Sequence, residues 1–157
     1  MKYRLLQWLS CPKCGGYELN LEVISQREVP VCSSHYRNSV SDSEAAAGEP
    51  GFEMEVEEGA LHCVQCGLIY PIRQGIPRML IGEAGETTLH RMTQFDMVAP
   101  VWESHFLDLS KPLTPNDFLG KLVVDLGCGY GRHAYFAGRY GAQVIAIDNS
   151  EDGALST

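Results

Sequence analysis

Four of the six cysteines come as two pairs, "CPKCGG" at 11–16 and "CVQCGL" at 63–68, built on one plan: two thiols two residues apart, then glycine. Thiols so spaced converge from a tight turn onto a single metal ion. The glycine after the second cysteine supplies the positive φ the turn needs, and backbone N–H groups there can donate to a thiolate. Cys11, Cys14, Cys63 and Cys66 together make a closed tetrahedral four-thiolate site. That site leaves no open position for catalysis, so Zn2+ held there is structural. The competing reading is four reduced, buried thiols.

Residues 15–62 separate the two pairs, a longer span than the roughly 15–20 residues of common ribbons. Closing the longer loop costs only about 0.9 kcal/mol more, against a structural zinc contribution on the order of 10 kcal/mol. The long insert therefore does not threaten the site, and its place between two hairpins suggests an elongated tip. Cys32 and His35, in "VCSSH", have no second pair to complete a further site and read as non-ligands. His62, beside Cys63, reads as an outward-facing strand residue.

A second group lies in "KLVVDLGCGYGRHAYF" (121–136), where Gly127, Gly129 and Gly131 follow an apolar run and precede a helical one. Alternating glycines between strand and helix allow a tight turn and let a ligand sit against bare main chain. A dinucleotide turn, G-x-G-x-x-G, would need glycine at 132, where Arg132 stands. Asp148 ends the next apolar run, 23 residues after Asp125. An acid at that place accepts hydrogen bonds from a vicinal diol such as a ribose. Cys128 reads as a small packed thiol, and Arg132 and His133, which open the helix, as solvent-exposed residues, with orienting a ligand or closing its pocket as the alternative.

These residues need elements to hold them. "YELNLEVI" and "GALHCVQCGLIYPI" alternate and read as hairpin strands. The intervening 25–58 is polar and acidic, rich in Ser, Ala, Gly and Pro, and reads as a mobile excursion. A helical stretch spans about 89–108, with Leu89, Met92, Phe95 or Asp96, Ala99, Trp102 and Phe106 in step and Pro100 kinking or breaking it. Trp102 and Phe106 are expected in the core. "KLVVDLG" and "AQVIAIDNS" read as buried parallel strands. Between them "GRHAYFAGRYG" is a helix with Ala134, Ala137 and Tyr140 on one face and Gly141 as its stop. Ser150 is a candidate N-cap for a following helix.

Composition sets outer bounds. The chain of 157 residues is 45% hydrophobic, with mean hydropathy −0.12, ordinary values for a globular protein. No stretch approaches the roughly 20 apolar residues of a membrane span, and no signal-peptide pattern opens the chain. A cytoplasmic location is expected, where paired cysteines bind metal more often than they form disulfides. Seven acids between Ser41 and Leu61 carry most of the net charge of −8, leaving −8 + 7 = −1 elsewhere. No basic stripe marks a nucleic-acid footprint.

Two resemblances emerge from the motifs. "LLQWLSCPKCGGYELNL" followed by "GALHCVQCGLIYPIRQGIPRML" resembles the small bacterial zinc-ribbon family related to the activator subunit of transfer-RNA, ribosomal-RNA and release-factor methyltransferases. The likeness covers about 1–24 and 59–81, is most specific at Tyr70–Leu80, and departs at the 25–58 insert. It implies a scaffold without catalysis, with a protein partner engaged through the ribbon. The D-x-G-x-G-x-G pattern of 125–131 resembles motif I of the class I S-adenosylmethionine-dependent methyltransferases. That resemblance implies S-adenosyl-L-methionine as cofactor, with Gly127, Gly129 and Gly131 along its methionine and ribose portion. It also implies Asp125 near the methionine end and Asp148 on the ribose.

The expected fold is α/β: a zinc-ribbon domain over 1–81 with the acidic insert 25–58, a linker and helix over 82–119, and the first β-α-β unit of a Rossmann-like methyltransferase sheet over 120–157. That unit reads as the start of a longer domain, with the acceptor-choosing groups beyond it and the present chain inactive alone. The function expected first is therefore a methyltransferase with a fused zinc ribbon and an unidentified acceptor, a small molecule slightly favoured. The alternative is a non-catalytic zinc-ribbon adaptor of a separate methyltransferase; a nucleotide-binding oxidoreductase is disfavoured by Arg132.

Overall fold

A computed structural model describes residues 1–29, 53–82 and 100–150. The chain divides into two compact units, Met1–Glu83 and Ala84–Thr157.

In the first unit a short 3-10 helix, Tyr3–Trp8, precedes four antiparallel strands: β1 (Leu19–Glu28), β2 (Met54–Cys63), β3 (Ile69–Arg73) and β4 (Ile76–Pro77), paired in that order. β1 and β2 pair from Leu19↔Cys63 out to Glu28↔Met54. The hairpin thus runs into both ends of the segment expected to be a mobile excursion. The reason is physical: Glu55, Glu57 and Glu58 sit on a strand that pairs through its backbone, so side-chain polarity masked the strand. The centre of that segment, with Cys32 and His35, lies outside the described residues.

The register slips near Val23–Gln26, where Ser25 faces Glu58 but Gln26 faces Val56. Two residues are passed over at this bulge, Ile24 on β1 and Glu57 on β2, and the pairing regains its original register beyond them. The slip puts Val56, instead of Glu57, in step with Leu61 and Cys63, and all three are buried. Gly59, beside this bulge, is required: a Cβ there would lie 2.3 Å from the Glu22 carbonyl oxygen. Below the bulge, the Met1 ammonium donates to the Val56 carbonyl at 2.6 Å and lies 3.5 Å from Glu55. The core holds Met1, Cys11, Val56, Leu61, Cys63, Tyr70 and Ile72, so two of its seven buried residues are cysteines.

In the second unit α1 (Pro100–Leu109), a 3-10 turn (Pro115–Phe118), β5 (Leu122–Leu126), α2 (Arg132–Arg139) and β6 (Gln143–Ile147) follow in order. β5 and β6 are parallel, from Leu122↔Gln143 to Leu126↔Ile147. The described part of α1 starts at Pro100; the expected helical stretch before it lies outside the described residues. Phe106, Phe118 and Phe136 pack with ring centroids 5.3–5.9 Å apart across Phe106, as offset aromatic pairs prefer. Phe136 is fully buried beside Ala134 and Ala137, so the helix face turns on Phe136 more than on Tyr140. Gly141 ends α2 at φ +90°, and a Cβ there would lie 2.7 Å from Leu119 Cδ1.

β5 departs from the fully buried strand expected. Val123 and Asp125 are half-buried while Leu122, Val124 and Leu126 are exposed. Among the described residues, the Val123 and Asp125 face of β5 is the better covered of the two. No helix among the described residues is long and apolar enough to cross a membrane. The helix expected after Ser150 lies outside the described residues.

Candidate functional site

Each cysteine pair sits in a turn whose chemistry the sequence dictates. Cys11 opens the first turn, and Gly15 follows Cys14 at φ +73° with its N–H on the Cys11 carbonyl at 2.8 Å. The second turn repeats this: Gly67 follows Cys66 at φ +72° and donates to the Cys63 carbonyl at 2.9 Å. Such positive φ values suit glycine and few other residues. Space is tight at Gly16: a Cβ would meet Cys14 Sγ and Gln65 Cβ at 3.3 Å, and the movable Gln65 Oε1 at 2.7 Å.

The turns lie at one end of the β1–β2 hairpin, with Cys63 the last residue of β2. All four sulfurs fall within 4.8 Å of one another. Cys11–Cys66 and Cys14–Cys63 each stand 3.6 Å apart. A tetrahedron with metal–sulfur bonds of about 2.3 Å has edges of about 3.8 Å, so the residues fit a four-thiolate ion. Cys11 and Cys63 are buried, Cys14 and Cys66 partly exposed. All four are free thiols in the structure.

The electrostatics point the same way. Burial would raise the Cys11 thiol, but the Tyr70 hydroxyl and the N–H groups of Cys14 and Lys13 outweigh it and bring it down to about 6. For Cys14 the Gly16 N–H favours the thiolate, yet burial and the neighbouring sulfurs prevail and push it up to about 12. Cys66 is raised too, despite the Leu68 N–H that favours its thiolate, by burial and by Cys11 and Cys63. Four sulfurs this close share one negative charge readily and resist a second. A divalent cation removes that repulsion and holds all four as thiolates.

Tyr70, a site residue the motif spacing did not single out, is buried with its hydroxyl 3.0 Å from Cys11 Sγ. Its place in the "YPI" tail was visible, but nothing in spacing alone says that a strand tyrosine points at a sulfur. His62, half-exposed on β2, pairs with Glu22 at 2.9 Å on the face away from the cluster core.

The glycine-rich residues form one continuous turn between β5 and α2. Gly127, Gly129 and Gly131 have φ of +76°, +53° and +76°. Open space surrounds the Cβ positions of Gly127 and Gly129, so backbone conformation, not crowding, calls for glycine at those two. Gly127 and Cys128 donate to the Ile147 carbonyl at 2.7 and 3.0 Å. Asp148 stands across the turn: its Oδ2 accepts the Gly129 N–H at 2.8 Å, and its Oδ1 accepts the N–H and hydroxyl of the buried Ser150 at 2.8 and 2.7 Å. Those bonds, Ser150 foremost, hold its carboxyl below the usual carboxylate range. Three of roughly four acceptor sites on the carboxylate are thereby taken. Asp125 Oδ2 accepts the Ala134 N–H at 3.1 Å, capping the first turn of α2.

A cleft of about 230 Å3 lies between α1, β5 and α2, lined mainly by apolar side chains such as Phe106, Leu109, Val123 and Ala137, with Asp125 and His133 at it. His133 Nε2 and Arg132 Nε are buried without a hydrogen-bond partner among the described residues. The Arg132 guanidinium lies over the Trp102 ring at 4.2 Å, a cation–π contact. Neither residue is the solvated side chain expected at the start of the helix: aromatic packing from α1 holds both. Cys128 is partly buried, as a small packed thiol should be.

Comparison with known proteins bears on the first unit. The model of the family described as Trm112p-like protein matches residues 2–75, the stretch that contains all four clustered cysteines. No curated protein matches the sequence. Among solved structures, a chain of the E. cuniculi Mtq2–Trm112 complex, responsible for methylation of the eRF1 translation termination factor, is 21% identical, covering 51% of this chain and 95% of that chain with a TM-score of 0.38. At that score the likeness decides neither fold nor function.

Proposed function

We propose that the Met1–Glu83 unit is a structural-zinc ribbon that serves a methyltransferase as a protein partner and has no catalysis of its own. The observation that carries this reading is the Trm112p-like match over residues 2–75 together with the closed four-sulfur cluster inside it. When bound, the zinc supplies cross-linking and charge neutralisation to a small core. Cys11, Cys14, Cys63 and Cys66 would hold it, which fills every tetrahedral position and leaves no place for substrate or activated water. The contribution of the unit is then made through its surface. This favours the adaptor over the fused enzyme as the leading reading. Co-expression with class I methyltransferases of the same cell tests it. A stoichiometric complex with methyl transfer above that of the methyltransferase alone is expected, and loss of both with Cys63→Ser. No complex with any of them contradicts the reading.

A second reading, favoured by the β5–α2 turn, places part of a methyltransferase in the same chain. Its support is the positive φ at three alternate glycines, the open space beside two of them, and the Gly129–Asp148 hydrogen bond. S-adenosyl-L-methionine would lie along Gly127, Gly129 and Gly131, with Asp125 toward its methionine end and Asp148 toward its ribose. The remaining acceptor site on Asp148 limits it to about one ribose hydroxyl. Calorimetric titration of the full chain with S-adenosylhomocysteine is the test. Binding that weakens about tenfold or more in Asp148→Ala supports the reading, given that a lost charge-assisted pair costs roughly 1.5–3 kcal/mol. Absent binding, or affinity indifferent to the substitution, removes it.

A further inference from the structure

The structure assigns to Tyr70 the role of a positioning residue for the metal centre: its buried hydroxyl donates a hydrogen bond to Cys11 Sγ on the side of the cluster that water does not reach. The inference rests on the zinc reading above. Four thiolates around a divalent ion carry a net charge of −2, and the cluster is solvated unevenly. Cys14 and Cys66 are partly exposed, whereas Cys11 is fully buried and Cys63 nearly so. Donors from the protein must replace water on the buried side. At Cys14 and Cys66 the N–H groups of Gly16 and Leu68 act from the turns themselves. Cys11 receives the Cys14 and Lys13 N–H groups and, in addition, a side-chain donor from a different element.

That donor is held in place by the sheet. Tyr70 pairs with Leu61 across β2–β3 and sits between the buried Leu61 and Ile72 in the same core cluster. Its hydroxyl is 3.0 Å from Cys11 Sγ. A metal-bound thiolate carries no proton, so the hydroxyl is the donor in this pair. A phenylalanine would fill the same volume, so packing alone does not call for the oxygen at this buried position. A hydrogen bond to a metal-bound thiolate withdraws charge from sulfur, steadies its orientation and strengthens retention of the ion, and loss of such an outer partner typically weakens metal binding 10–100-fold.

The test uses Co2+ in the full chain, because its sulfur-to-metal charge-transfer bands report the electron density on the thiolates. Wild-type protein is expected to give the intense bands of a four-thiolate site. Tyr70→Phe should keep the fold, shift those bands to lower energy and lose Zn2+ to a chromogenic chelator about 10–100-fold more readily. Ile72→Val, which trims the same buried strand without touching the hydroxyl, should leave the bands in place. Unchanged bands with chelator competition within twofold of wild type in Tyr70→Phe overturn the inference and leave the zinc reading standing. An equal band shift in Ile72→Val also overturns it, since packing would then account for the effect. Failure of the wild type to take up Co2+ or Zn2+ overturns both.

Discussion

Gly59 is fixed by a contact that leaves no room for a methyl group. A Cβ at this position would press on the Glu22 carbonyl at 2.3 Å, and the atom it meets is backbone, which cannot rotate away. Gly59→Ala should therefore destabilise the first unit by about 1–3 kcal/mol, read as a lower midpoint in urea denaturation at unchanged slope. The cysteines make the opposite kind of residue-scale demand, since they matter through a bond and not through space. Cys63→Ser should reduce bound zinc from one per chain to none, measured by elemental analysis of the purified protein. Both residues show how far type and spacing can be read. The paired thiols and the glycines at 15 and 67 were legible because turn chemistry is local. The need for Gly59 and the aim of Tyr70 were not, because each depends on the partner strand and its register.

At the scale of elements, the β1–β2 hairpin shows why strands inside acidic sequence escape notice. "EMEVEEG" carries four acids in seven residues, and composition reads it as loop. In the fold its backbone pairs with β1 and its charges find cations. Arg27 contacts Glu55 at 2.9 Å, with Glu57 3.6 Å from the same guanidinium and the Met1 ammonium 3.5 Å from Glu55. Burial opposes ionisation of Glu55, but Arg27 and the ammonium outweigh it and hold the carboxyl below its ordinary 4.5. The sign follows. Near pH 4.5 the unfolded chain binds more protons at this residue than the native one, so stability rises with pH there. The contribution is present above the ordinary value and is lost as pH falls through the lower folded one. Glu55→Gln should flatten that part of an acid denaturation profile, with a full and uniform loss of stability at neutral pH that shrinks to nothing as pH falls through the folded value. The second unit was more legible: strand, glycine turn, helix and strand follow from period and punctuation alone. The glycines at 127, 129 and 131 adopt the left-handed φ that their spacing implies. What escaped there was tertiary: Phe136 as the buried centre, Arg132 laid over Trp102, and Asp125 capping α2.

For the whole molecule, the two units answer the functional question differently. The first has a small core in which cysteine supplies two of seven buried positions, and a domain of this size gains much of its stability from a staple. The second exposes Leu122, Val124 and Leu126 among the described residues, and a cleft lies between α1, β5 and α2. The residues that match a known family lie in the first unit. On the proposed reading the first unit is a metal-stapled module that acts by contact, with methyl-transfer chemistry supplied by a partner. The most direct test is a count of S-adenosylhomocysteine formed by three samples: the purified chain alone, a class I methyltransferase that co-purifies with it, and the two together. The account predicts no product from the chain alone and more from the mixture than from the methyltransferase by itself, the gain vanishing with Cys63→Ser. Turnover by the chain alone would contradict it.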